Sequence, residues 1–75
     1  MNTTIDNTQV KVSPRGAPFP GGKVASIADA ENEDKHFVVL VDTAEREVKA
    51  FREVDGYEGG QQLKEVGKEL MEEME

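Results

Sequence analysis

The amino-acid sequence predicts a small α+β fold: an antiparallel sheet of three to four strands packed by one C-terminal helix, behind a flexible N-terminal arm. Three observations predict it. The run Phe37-Val-Val-Leu-Val41 is apolar on both faces and bounded by charge, as in a central strand covered on both sides. Leu63, Val66, Leu70 and Met74 recur at steps of three and four, the period of one helix face, with Met71 beside them. Ser13 to Gly22 holds three prolines and three glycines in ten residues, which opposes a helix or a central strand.

Residues 1–22 form the expected arm. Met1 to Gln9 is polar apart from Ile5, and Val10-Lys-Val12 is long enough only for a short edge strand. Pro14, Pro18 and Pro20 do not compose a P-x-x-P recognition core. Phe19 is an aromatic in this setting, which either tucks over the core or anchors a partner. Residues 23–75 form the expected domain. Lys23 to Ala28 reads as a strand. Asp29 to Asp34 reads as a solvated acidic loop, because a calcium loop beginning at Asp29 would need a glycine at Asp34 and a glutamate at Leu40.

Asp42 to Val54 admits two readings. As a hairpin, Asp42 to Glu47 turn the chain and Glu47 to Val54 return beside the central strand. As a helix, Asp42 and Glu45 make a capping box, and Ala44, Val48, Phe51 and Val54 share a face. The hairpin is preferred, because the strand at Phe37–Val41 needs a neighbour and this is the nearest one. It carries a local cost: with no glycine in the turn, Arg46 or a neighbour has to take the left-handed position. Asp55 to Gly60 is a loop by composition, and 61–75 is the helix. Gly67 interrupts it at about 1 kcal/mol relative to alanine, which suggests close packing or a weak helix.

Composition narrows function. Seventy-five residues make one domain, with a core that leaves no room for a deep substrate cavity. Sixteen acidic residues against nine basic ones give a net charge of −7, which opposes nucleic acid and anionic membranes and steers the chain toward basic partners. No stretch is apolar for long enough to span a membrane, and the N-terminus lacks the basic and apolar regions of a signal peptide, so the expected location is the cytoplasm. With no cysteine and one histidine, neither a disulfide nor a two-histidine zinc site is available. His36 has acidic neighbours in Glu33 and Asp34, the pattern of a surface ion pair. Neither Ser13 nor Ser26 lies in a G-x-S-x-G elbow, and Gly56-Tyr-Glu-Gly-Gly60 lacks the lysine and hydroxyl of a phosphate loop. No catalytic residue, metal site or cofactor is expected, and the chain reads as a non-enzyme.

The expected function is protein binding by a monomer. The helix ends in Glu69, Glu72, Glu73 and Glu75 with no base after Lys68, so negative charge collects where the helix dipole is also negative. Glu69, Glu72 and Glu73, with Tyr57 and Phe19 as aromatic anchors, are the candidate partner-binding residues. The partner is a basic protein surface such as RNA polymerase or a nuclease. The profile matches a phage-type inhibitor of the host transcription machinery: short, acidic, cysteine-free and without catalytic residues.

A second reading follows from Lys23-Val-Ala-Ser-Ile27, His36-Phe37, Val39 to Val48 and Gly59-Gly60-Gln-Gln-Leu63. Over about 40 residues this order resembles the dinitrogenase iron–molybdenum cofactor accessory family: a strand, His-Phe-Gly, an apolar strand ending in Asp-Thr, a hairpin, a glycine-rich turn and a helix. Val38 stands where that family has glycine, and the second half of its α/β domain has no counterpart here. The resemblance implies an accessory protein on a truncated α/β domain; cofactor binding is not carried over to His36.

Overall fold

The computed structural model describes residues 1–74, the side chains of Pro14 and Arg15 excepted. Five strands precede one helix: β1 (Asn2–Ile5), β2 (Thr8–Phe19), β3 (Lys23–Ala30), β4 (His36–Asp42), β5 (Glu47–Val54) and α1 (Gly60–Met74). The strands form one antiparallel meander in the order β1-β2-β3-β4-β5. The fold is therefore α+β with a C-terminal helix, but the sheet has five strands rather than three to four. The α/β architecture implied by the cofactor-family resemblance is not adopted, since the helix follows all five strands instead of lying between them.

The difference lies at the N-terminus. Where the sequence predicts a flexible arm over 1–22, β1 and β2 run through most of it. Asp6 and Asn7 turn the chain in two residues with φ of 49° and 62°, the left-handed pair that a tight hairpin requires. Proline is compatible with β2 because β1 pairs only with Thr8–Lys11, so the second half of β2 pairs with β3 on one side and is an open edge on the other, where a missing N–H breaks no ladder bond. Gly16 is required by contact: a Cβ there would stand 2.2 Å from the Ala25 carbonyl oxygen.

Both sheet faces are buried. On one, Ala25, Ile27, Val38 and Leu40 pack against Leu63 and Leu70 of α1, with Phe19, Val66 and Met71 partly buried around them. On the other, Ile5, Val10 and Val12 pack with Ala28, Phe37, Val39 and Val41, because the first two strands curl over that face. The apolar run of β4 supplies alternate residues to the two layers, which is why it is apolar throughout.

Asp42 to Val54 is a hairpin. Asp42 Oδ1 accepts hydrogen bonds from the backbone N–H of Ala44 (3.0 Å) and Glu45 (3.3 Å), and Arg46 takes the left-handed position at φ 53°. Asp42 thus caps a turn rather than a helix. Gly67 marks the close approach of α1 to the sheet, since a Cβ there would lie 2.6 Å from the Ala25 Cβ and 2.9 Å from the Phe19 ring. The helix begins one residue earlier than predicted, and Glu75 lies outside the described residues.

Candidate functional site

Three helix flanks follow from the 3.6-residue period. Leu63, Gly67 and Leu70 are buried. Lys64 and Lys68 lie on the flank beside Ala17, Pro18 and Phe19 of β2, with which they line an open cleft of about 430 Å³. Glu69 and Glu73 lie on the opposite flank, beside β5. Glu65 and Glu72 lie between these flanks and are exposed.

The acidic end of α1 has an internal counter-charge, contrary to expectation. Arg52 sits opposite Val38 on β5, on the helix-covered face. Its Nη1 donates to Glu69 Oε2, and its Nη2 donates to Glu73 Oε1 at 2.6 Å. One guanidinium therefore spans two carboxylates one helical turn apart, and offsets the unfavourable placement of acids at the helix C-terminus. Glu72 makes no such contact. Of the predicted residues, then, Glu69 and Glu73 are held within the fold while Glu72 points to solvent.

The two predicted aromatic anchors differ. Phe19 is half-buried with its ring against α1, whereas Tyr57 in the β5–α1 loop is 49% exposed. Phe51, which the sequence places on an apolar face and not among the anchors, is 46% exposed on β5 and meets Phe37 edge-to-face, with ring centroids 6.1 Å apart. Alternation along β5 was the available signal: Phe51 falls on the opposite face from Arg52. Tyr57 lies near Asp55 and Glu58 in sequence, and all three are exposed.

Elsewhere the surface carries ordinary polar pairs. His36 Nδ1 and Asp29 Oδ1 are 2.7 Å apart, while Asp34 is more distant at 3.7 Å from Nε2. The hydrogen bond to Glu45, with a second to Glu47, holds Lys49 above its ordinary pKa; Glu33 does the same for Lys35. No group of three histidine, cysteine, aspartate or glutamate side chains suited to a metal ion occurs among the described residues. Nor, among them, is any helix long and apolar enough to cross a membrane.

A second open cleft, of about 480 Å³, lies on the sheet face away from α1, between β2, β3 and β4. The expectation that so short a chain has no room for a deep cavity did not anticipate surface clefts of this volume. Comparison with protein families, curated proteins and solved structures finds no match for the chain.

Proposed function

We propose that the chain is a non-enzymatic binding module that offers a carboxylate surface to a basic protein partner. The observation that supports this is a set of exposed acids that make no ion pair among the described residues, on the outer side of α1 and beside the exposed Tyr57 in the loop before it. Glu65 and Glu72 line the outer side of α1, and Asp55 and Glu58 flank Tyr57 in the preceding loop. Tyr57 supplies contact area at low entropic cost, and the carboxylates steer the encounter. Glu69 and Glu73 belong to this surface as well, held in place by Arg52. A basic groove of the kind that holds nucleic acid, as in a polymerase or a nuclease, has the complementary charge, and the module would act as an inhibitor by occupying it.

The test compares wild type, Glu65→Lys/Glu72→Lys, and the charge-matched Glu31→Lys/Glu33→Lys variant in the β3–β4 loop, as immobilised baits in lysate at low and high salt. The expected result is a partner retained at low salt, released at high salt, lost with the helix variant and kept with the loop variant. Equal loss with both variants would reduce the effect to net charge and remove the helix from the interface.

A further inference from the structure

We propose that the 480 Å³ cleft on the sheet face away from α1 binds a medium-chain aliphatic carboxylate bearing a hydroxyl group. The cleft exists because β2 is irregular. Between Val12 and Gly16 the strand advances four residues, while its partner β3 advances only two, from Ala28 to Ser26. The two extra residues interrupt the β2–β3 register beside Val12 and Ser13, which line the cleft.

The lining has three chemical parts. Val12, Val24 and Val41 present aliphatic walls that continue the buried layer of Phe37 and Val39. Ser26 lies among them at 3% exposure, the one buried polar side chain among the described residues. A hydroxyl in an apolar lining offers a ligand both a donor and an acceptor. Arg46 lies at the exposed rim and makes no ion pair among the described residues, although the chain carries a net charge of −7. An apolar body is thus called for by the valines, a hydrogen-bonding group by Ser26 and an anionic head by Arg46. The volume falls within the ~300–1,000 Å³ of small-molecule sites. A guanidinium prefers a carboxylate, which it meets through two donors.

This site is independent of the acidic helix surface, which lies across the sheet, so either can fail alone. The test is a titration of the ¹⁵N-labelled protein, read by backbone amide shifts, with 3-hydroxyoctanoate, octanoate, octylamine and acetate. The expected result is saturable shifts near Val12, Ser26 and Val41 with 3-hydroxyoctanoate, weaker ones with octanoate, and none with octylamine or acetate. Arg46→Asn keeps the left-handed turn and should weaken binding at least about tenfold. Ser26→Ala should erase the preference for the hydroxylated acid while octanoate still binds. Octylamine binding as well as octanoate, or unchanged affinity in Arg46→Asn, would overturn the assignment. So would a peptide ending in a free carboxylate, such as acetyl-leucyl-leucine, shifting these amides where neither fatty acid does.

Discussion

Arg52 Nη2 and Glu73 Oε1 are 2.6 Å apart, joining the edge strand of the sheet to the last turn of the helix across 21 residues of sequence. With the second bond to Glu69, this clasp is the polar tie between β5 and α1. Replacing Arg52 by alanine leaves two carboxylates at a negative dipole end. The expected loss is about 1 kcal/mol, or roughly 5 °C in Tm for a domain this small. Hydrogen exchange should accelerate in the last helical turn before the rest of α1, and high salt should shrink the difference between variant and wild type. Uniform acceleration along α1 would show that the clasp does not hold its end.

Gly67→Ala sets two effects against each other. Alanine gains about 1 kcal/mol in helix propensity. Its methyl group, however, would stand 2.6 Å from the Ala25 Cβ and 2.9 Å from the Phe19 ring, so helix or strand must shift. Overpacking of this kind costs about 1–3 kcal/mol, and the net result is expected to be destabilising. Chemical denaturation of Gly67→Ala beside Lys68→Ala, an exposed control one residue on, decides it. A stabilised Gly67→Ala would mean that the contact yields easily.

Lys35 and Lys49 predict the alkaline limb of stability. The Glu45 hydrogen bond raises Lys49 above its ordinary value of 10.5, and the Glu33 hydrogen bond raises Lys35 likewise. A raised folded-state pKa contributes stability that is fully present below the unfolded value and lost as pH rises through the folded one. Wild type should therefore exceed Lys35→Gln/Lys49→Gln by a small, salt-sensitive margin at neutral pH, and the two should converge above about pH 10.5. A gap that stays constant across the alkaline range would place the contribution of these side chains in packing rather than charge.

The C-terminal half of the fold was legible because its signals are local. The apolar run of β4, the helical period from Leu63 and the turn chemistry of Asp42 with Arg46 each lie within a few residues. The N-terminal half was not. Pro14, Gly16 and Pro18 read as breakers, yet proline is tolerated on a strand with one open side, and that side exists only once the sheet has assembled. The signals that point the other way are modest: Asp6-Asn7 as a two-residue turn, and Val10 alternating with Val12. At the candidate surface the acids were visible in sequence and Arg52 was not, because the pairing spans 17 and 21 residues. The cleft at Ser26 depends on a register irregularity that leaves no compositional mark.

Phe19 and Tyr57, paired in the sequence reading as partner anchors, should separate when stability and binding are measured together. Phe19 fills the space over Gly67 and belongs to the helix-side core, so Phe19→Ala is expected to cost about 2–3 kcal/mol through the cavity it leaves. Tyr57 is half-exposed beside free carboxylates, and Tyr57→Ala should change stability by no more than about 0.5 kcal/mol. If Tyr57 anchors a partner, its removal weakens retention at unchanged Tm, the combination that a structural role does not produce. Loss of binding in Phe19→Ala alone, in proportion to its unfolding, would instead tie recognition to the integrity of the helix–sheet interface and leave the carboxylates of α1 as the contact.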